Sequence, residues 1–426
     1  MRARLMGGRH AASVIAILGS AAFAACGGGG SGSTGTAGAG GSAGASAAGA
    51  NGSAGASTAG ASGSAGAGGA AGANGSAGAS ATAGASGSAG ASATAGTSGS
   101  AGADGGTSDA SALTLPVERS GADGGSVYAL EFGDTKFVVD PAPGGRIVEY
   151  SLDGTNILTN ATVNPSYWGS TLWTAPEGEW MTAAVATAGS TGMMIVPGFD
   201  TLPYPMTVAA NNSFSGSGPN VTFANMTFDL TKQFTANLAA GAIDIVYSIT
   251  NKGTGSMTLG HWEVTRVFPD GLTFFPAPDA AAKAPTIANP AVVNPCVTIT
   301  NGTVWLDHSK YVPGTQLLYG KYSTDASGGW IAHVVTDTTG KGDILLVKTF
   351  AHIPDGTAGA GHAGVEVYYR PDRSYEEIED HYEQATFTPQ QKIDWPVRWY
   401  LRRLPTTITR TVGNQQLVDY VTNLIK

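Results

Sequence analysis

Two carboxylates that can share one face of a strand are the first residues in this sequence with clear chemical potential. In residues 375–379 (YEEIE), strand alternation puts Glu377 and Glu379 on one side and Glu376 on the other. Carboxylates about 7 Å apart, two residues along a strand, can bind the hydroxyls of a sugar, or one can act as a base with a raised pKa. An exposed strand edge with solvated charges is the alternative. Glu366 is a further candidate.

Aromatic and cationic side chains supply a second set of candidates. Trp168, Trp173 and Trp180 lie in a segment rich in Gly and Pro that is predicted to be loop-like. Tryptophan faces stack on pyranose rings, so a cleft lined by Trp168 and Trp173 suits a carbohydrate. Arg146 and Lys348 can donate hydrogen bonds to sugar hydroxyls or to a carboxylate. The alternatives are tryptophans that fill the core and cations that are solvated at the surface.

Short β-rich runs separated by Gly, Pro and Asp must position these residues. A 3.6-residue apolar period occurs only in residues 415–425, which predicts one helix. Many short strands with almost no helix predict an all-β fold, a large antiparallel β-sandwich. The predicted strands are residues 127–132, 136–140, 146–152, 242–249, 256–268, 330–335, 343–350, 365–369 and 397–401.

The 426 residues divide into segments of very different composition. Residues 26–112 contain no aromatic residue, Lys or Arg and cycle through Gly, Ser, Ala and Thr. Such a segment cannot bury enough apolar area to offset the entropy of ordering, so it is predicted to be a disordered tether. Residues 113–426 are long enough to bury a core and are predicted to be the folded domain. The acidic balance, with a formal net charge of −9, disfavours nucleic acid as a partner.

The first 25 residues are predicted to be an export signal. Arg2, Arg4 and Arg9 precede a mostly apolar run at residues 11–23, which is too short for a stable membrane span. The run ends in Phe-Ala-Ala before Cys26, and this resembles the bacterial lipobox. The resemblance implies lipidation of Cys26 and attachment to a membrane, with the outer membrane or cell surface of a Gram-negative bacterium favoured. An ordinary signal peptide with an incidental cysteine is the alternative.

Cysteine usage gives no sign of a metal site or a disulfide. If Cys26 is lipidated, Cys296 is left without a disulfide partner, and we expect it to be a small buried hydrophobe. No Cys or His spacing typical of metal ligation is present, so no metal and no cofactor is predicted. The oligomeric state leaves no mark in the sequence.

Several of these segments, in this order, resemble the galactose mutarotase-like β-supersandwich, in a branch distinct from the true aldose 1-epimerases. Together they span residues 127–404, and their order is more specific than any one of them. The resemblance implies a supersandwich fold and a carbohydrate ligand. The segments are residues 137–147 (FVVDPAPGGRI), 152–158, 167–177 (YWGSTLWTAPE), 375–379, 387–390 and 395–401 (WPVRWYL).

The resemblance also implies roles for individual residues. Mutarotation needs a base for the anomeric hydroxyl and an acid for the ring oxygen, and in this family a Glu and a His fill these roles. His261 follows an Asn-containing turn as the family histidine does, although Trp262 and Glu263 depart from the family pattern. We hypothesise that His261 pairs with Glu377, with Glu379 as a further catalytic candidate. Trp262 joins the substrate-binding candidates.

Three interpretations follow, and the substrate sugar stays open among them. The domain binds a carbohydrate and acts on it by acid–base chemistry, or it binds a carbohydrate without catalysis. Alternatively, it is a structural or adhesive cell-surface domain that contacts another protein. Tryptophans in a cleft would favour the first two, whereas tryptophans packed between sheets would favour the third.

Overall fold

The structure, a computed structural model, describes residues 114–120, 125–180, 196–209, 212–223, 225–278, 285–311, 319–325, 328–337 and 339–426. The predicted signal, Cys26 and the predicted tether lie outside these residues, so export, lipidation and the domain boundaries stay predictions. Within the described part of the chain, no helix has both the length and the apolar character that a membrane span requires.

The described residues form strands joined by short connections. In chain order the strands are β1 (Thr114–Ser120), β2 (Ser126–Phe132), β3 (Thr135–Asp140), β4 (Arg146–Leu152), β5 (Thr155–Asn156), β6 (Ser170–Ala175), β7 (Met206–Ala209), β8 (Ser213–Ser217), β9 (Val221–Phe223), β10 (Met226–Asn237), β11 (Ala242–Asn251), β12 (Met257–Val267), β13 (Leu272–Pro276), β14 (Thr286–Ala288), β15 (Val297–Thr300), β16 (Thr303–Asp307), β17 (Gly320–Thr324), β18 (Trp330–Val335), β19 (Ile344–Thr349), β20 (Val365–Tyr369), β21 (Glu376–His381), β22 (Ala385–Phe387) and β23 (Lys392–Arg403). Helices with described ends are α1 (Pro197–Asp200), α2 (Pro290–Val293) and α3 (Gln415–Leu424).

These strands pair into two antiparallel sheets that pack face to face. The first sheet runs β1-β2-β3-β4-β6-β12-β21-β20-β17-β14, with β5 beside β4 and β22 beside β12. The second runs β15-β16-β13-β18-β19-β23-β11-β10-β8-β7, with β9 beside β10. Phe137 and Tyr150 of the first sheet contact Trp399 of the second. The predicted large antiparallel sandwich with little helix is therefore confirmed.

Local sequence signals explain several element boundaries. β3 and β4 are joined by a turn in which Gly144 has a φ of 75°. A Cβ atom on Gly144 would lie 2.1 Å from the backbone oxygen of Phe199, so only glycine fits there. At the other end of the chain, the Asn414 side chain accepts a hydrogen bond from the Gln416 N–H and caps α3. The predicted helix near the C-terminus is confirmed.

The prediction of a loop around Trp173 is wrong, because Ser170–Ala175 is the strand β6 in the middle of the first sheet. All six of its residues are buried, so the polar and apolar alternation that marks a half-buried strand is absent. The flanking Gly169 and Pro176 further resemble loop boundaries.

A buried ionic cluster lies between the two sheets at Lys348. This lysine on β19 is 2.8 Å from Glu263 Oε2 on β12 and also contacts Asp380 on β21. Tyr247 and Trp399, both from the second sheet, donate hydrogen bonds to Glu263. Burial, opposed by Lys348, raises the pKa of Asp380 to about 8. Lys348 was predicted to contact a sugar, but its side chain is fully buried between the sheets.

We expect Lys348→Met to lower the free energy of unfolding by about 3–5 kcal/mol, because it leaves buried carboxylates without their cation. The matched control is Lys136→Met, since Lys136 forms a partly exposed pair with Glu149 and should lose less than about 1 kcal/mol. Urea denaturation of the full chain measures both. Equal losses in the two variants would contradict the importance of the cluster.

Candidate functional site

The outer face of the first sheet is the side turned away from the second sheet, and it carries the candidate site. On β12, Glu263 and Thr265 point inward to Lys348. Strand alternation therefore turns Trp262 and Arg266 outward. In β21 the same alternation separates Asp380, which faces Lys348, from Glu377, Glu379 and His381. Glu377 and Glu379, the two carboxylates that were predicted to share one face of a strand, therefore both lie on the outer face.

Trp262 forms the centre of this face. Its ring centroid lies 5.1 Å from that of Trp173, 5.3 Å from that of His381 and 4.6 Å from that of His362. The His381 ring is stacked on Trp262 with an interplanar angle of 18°. The indole Nε1 of Trp262 donates to Glu379 Oε2 at 2.7 Å. An aromatic floor is thus joined directly to an acidic group.

Lys321, on β17, bridges two carboxylates beside this floor. Its Nζ lies 2.7 Å from Glu366 Oε2 and 3.2 Å from Glu379 Oε2. Burial alone would raise the pKa of Glu366, but Lys321 and the hydrogen bonds from His362 and His381 hold it well below its usual range. Burial raises the pKa of Glu379 well above its usual range, and Lys321 offsets this only in part. The pKa values of two neighbouring carboxylates are therefore displaced in opposite directions, a pattern found at acid–base sites.

The hydrogen bonds assign the tautomers of both histidines. The backbone N–H of Glu177 donates to His362 Nε2 at 3.1 Å, so the single proton of neutral His362 sits on Nδ1, which lies 3.2 Å from Glu366 Oε2. His381 Nε2 lies 3.2 Å from the same oxygen and donates to it. His381 Nδ1 is left as a bare acceptor, buried and without a partner. Burial lowers the pKa of His381 to about 4.

His362, Glu366 and His381 are also close enough together to be compared with a metal site. Ligand atoms of His362, Glu366 and His381 all lie within 4.8 Å of one another. However, the nitrogen of His362 nearest to Glu366 carries a proton, and Lys321 already neutralises the carboxylate at 2.7 Å. The donor set fits a hydrogen-bonded ionic network and does not fit a metal ion, which needs unprotonated ligand atoms.

A second pair of charges extends the outer face. Arg266 Nε donates to Glu377 Oε1 at 2.8 Å, and its guanidinium lies 5.1 Å from the Trp173 ring centroid. Arg266 Nη2 is buried without a hydrogen-bond partner. Arg146 pairs with Asp200 at 3.2 Å. The carboxylate of Asp200 also accepts a hydrogen bond from Trp173. Arg146 additionally lies under the half-buried Trp168 ring, 4.8 Å from its centroid.

The structure brings most of the proposed site residues together but separates the hypothesised catalytic pair. His261 lies on the inner face, where its ring packs against Tyr382 and Trp395 and burial lowers its pKa to about 3. Glu377 lies on the outer face, so His261 cannot exchange a proton with it. Lys348 is likewise on the inner side. The residues that share or border the outer face are Arg146, Trp168, Trp173, Trp262, Glu366, Glu377 and Glu379.

Sequence reasoning missed His381, His362 and Lys321. His381 carried a detectable signal, because it continues the alternation of Glu377 and Glu379 by two more residues. His362 lies in the loop before β20, and Lys321 reaches the site only through the pairing of β17 with β20. No local pattern predicts that pairing.

No protein-family model and no curated protein matches this chain. Solved structures with similar backbones include a galactose mutarotase-like protein from Clostridium acetobutylicum, with 10% identity, a TM-score of 0.43 and coverage of 68% of this chain and 98% of that one. A putative aldose 1-epimerase from Klebsiella pneumoniae has 8% identity, a TM-score of 0.43 and coverage of 71% and 84%. One from Escherichia coli has 12% identity, a TM-score of 0.36 and coverage of 65% and 99%. Likeness at this level carries no argument about activity, which has to come from the site.

We expect Lys321→Met to raise the pKa of His381 above about 4, because Lys321 is one of the cations that disfavour its protonation. Titration of the full chain, labelled with ¹⁵N at histidine, measures this pKa. Lys310→Met is the control, since Lys310 is half-exposed and pairs with Asp307. An unchanged His381 pKa in Lys321→Met would contradict the electrostatic assignment.

Proposed function

We propose that the outer face of the first sheet binds a carbohydrate and exchanges its anomers by acid–base catalysis. One observation carries the proposal: Glu379 and His381, two residues apart on β21, present a carboxyl oxygen and an imidazole nitrogen that are both buried and unpartnered beside Trp262. One group has a raised pKa and the other a lowered pKa. Groups with oppositely displaced pKa values are suited to act as acid and base in one reaction.

The hydrogen bonds support one assignment of roles to the atoms of Glu379 and His381. Glu379 Oε2 accepts from Trp262 and Lys321, so the acidic proton sits on the unpartnered Oε1. His381 Nδ1 takes the proton of the anomeric hydroxyl while Glu379 Oε1 gives its proton to the ring oxygen. The bond between the anomeric carbon and the ring oxygen then breaks and leaves an open-chain aldehyde. Rotation of the aldehyde and the reverse transfers close the other anomer and restore both groups.

A sugar also suits the surroundings of these two groups. Trp262 and Trp173 lie on the outer face and not between the sheets, and at 2% and 3% exposure they form its buried aromatic floor. Arg266 Nη2 is a free donor for a hydroxyl. Lys321 and Glu177 are partly exposed, so they form the accessible rim above a floor that includes the His362 side chain, which is only 4% exposed.

Anomer exchange should be accelerated by the full chain for at least one reducing sugar, measured by saturation-transfer NMR. Glu379→Gln should reduce this rate by about 10²–10⁴-fold, because the acid is lost, while Glu149→Gln at the partly exposed Lys136 pair should not change it.

The wild-type rate should fall as the pH falls through about 4, where His381 becomes protonated. Saturation transfer from protein to sugar without anomer exchange would show that the domain is a binding module only. The absence of both saturation transfer and anomer exchange would refute the proposal.

We further propose that the domain is exported and held at the outer membrane by a lipid on Cys26. The support is the basic start, the apolar run and the small residues before Cys26. The intervening Gly/Ser/Ala segment would space the sugar-binding domain from the membrane.

Cys26→Ala should abolish both metabolic labelling with a fatty acid and recovery in the membrane fraction when the full chain is expressed in a Gram-negative host. Cys296→Ala is the matched control, because Cys296 is the other cysteine of the chain and is buried in the domain. Equal labelling of the two variants would exclude the anchor.

A further inference from the structure

A second cluster of titratable groups lies between the sheets, away from the outer face. Glu376 of β21 contacts His308 Nδ1. His308 Nε2 lies 2.6 Å from the hydroxyl of Thr273, and the same hydroxyl lies 2.8 Å from His333 Nδ1. All four side chains are buried. Because Glu376 belongs to the first sheet and the other three lie on or beside strands of the second, this chain of contacts crosses the sandwich.

The Thr273 hydroxyl links the two histidines chemically. A hydroxyl has one hydrogen, so it can donate to only one imidazole nitrogen and must accept from the other. If His308 Nε2 carries a proton, Thr273 donates to His333 Nδ1, and the proton of His333 is then on Nε2. If His308 Nε2 is bare, Thr273 donates to it and accepts from His333 Nδ1, so the proton of His333 is then on Nδ1. The tautomers of His308 and His333 are therefore fixed together.

Two complete arrangements satisfy these contacts. In the first, protonated Glu376 donates to His308 Nδ1, and both histidines carry their protons on Nε2. In the second, ionised Glu376 accepts from His308 Nδ1, and both histidines carry their protons on Nδ1. The arrangements differ by one proton: when it leaves His333 Nε2, the protons of Thr273, His308 and Glu376 each move one step along the chain.

The surroundings favour the uncharged arrangement at neutral pH. Burial raises the pKa of Glu376 well above its usual range and lowers the pKa of His308 to about 3 and that of His333 well below its usual range. The charged and titratable groups that face the chain from neighbouring elements are Asp270, Cys296, Asp307, Tyr311, Tyr369, Arg373 and Arg410. Asp270 and Asp307 raise the pKa of Glu376 further, whereas the cation of Arg373 lowers it, but by less than burial raises it.

The His333 end of the chain lies beside a cleft. A Cβ atom on Gly271 would be 2.3 Å from His333 Nε2, so glycine allows the imidazole to approach the backbone there. Gly271 lines a cleft of about 340 Å³ together with Asp307, Lys310 and Arg410. His333 Nε2 itself has no hydrogen-bond partner. A proton released at this nitrogen is thus next to the wall of a solvent-accessible space.

We propose that Glu376, His308, Thr273 and His333 form a proton relay through which buried Glu376 exchanges its proton with solvent in this cleft. The hydroxyl of Thr273 is its coupling element, because without it the two imidazoles have no shared hydrogen. Thr273 is fully buried, so it is not a nucleophile despite its contact with a histidine and, through it, a carboxylate. The relay lies on the opposite side of β21 from Glu379 and is independent of the sugar site.

Selective ¹⁵N labelling of histidine in the full chain tests the relay, since the nitrogen shifts distinguish protonated from bare nitrogens. At neutral pH we expect His308 and His333 both to carry their protons on Nε2. When the pH is raised through the ionisation of Glu376, both should switch to Nδ1 with one midpoint. Opposite tautomers of the two histidines at neutral pH, or two separate midpoints, would overturn the proposal.

Three variants separate a relay from mere proximity. In Thr273→Val, His308 should stay the Nε2 tautomer, but the tautomer of His333 should no longer depend on that of His308. Thr273→Ser should restore the wild-type pattern. Glu376→Gln should abolish the switch of both histidines at high pH, because the amide cannot ionise. A switch of both histidines with one shared midpoint in Thr273→Val, shown to be folded by circular dichroism, would overturn the proposal.

Discussion

The cation of Lys348, buried between the sheets, is the constraint on which the candidate site depends. An ammonium without counter-charges would cost several kcal/mol in this position, so Glu263 and Asp380 must face it. Since side chains alternate along a strand, inward Glu263 forces Trp262 outward, and inward Asp380 forces Glu379 and His381 outward. The inner ionic cluster thus sets the register that assembles the outer face.

Much of the fold could be predicted because turns and strands left separate marks in the sequence. The runs that became β2, β3 and β4 are rich in β-branched and aromatic residues and are bounded by Gly, Asp and Pro, and their ends match the structure closely. β6 could not be predicted, because a strand buried on both faces has no alternation to detect. The order of strands within the sheets arises from non-local pairing, such as that of β12 with β6 and β21, which no local pattern encodes.

The candidate site was predictable where one strand supplies it and unpredictable where several strands meet. Alternation within residues 375–379 correctly grouped Glu377 with Glu379. His261 was assigned to the ligand by the family resemblance and Lys348 by residue type, but each belongs to the inner face. Neither signal reveals which face a strand residue occupies. Lys321 lies on β17, which is two strands away from β21 in the first sheet. Its contribution depends on the tertiary arrangement alone.

β21 serves both sides of the sandwich at once, with Glu376 and Asp380 on one side and Glu377, Glu379 and His381 on the other. This gives the strand an unusual pattern of mutational tolerance. A substitution disturbs one network, but the insertion or deletion of one residue within β21 would exchange the two sides, which would put charges into the core and apolar Ile378 onto the outer face. Natural length variation in this region should therefore be confined to the flanking turns, residues 370–375 and 382–384, while the strand itself keeps a constant length.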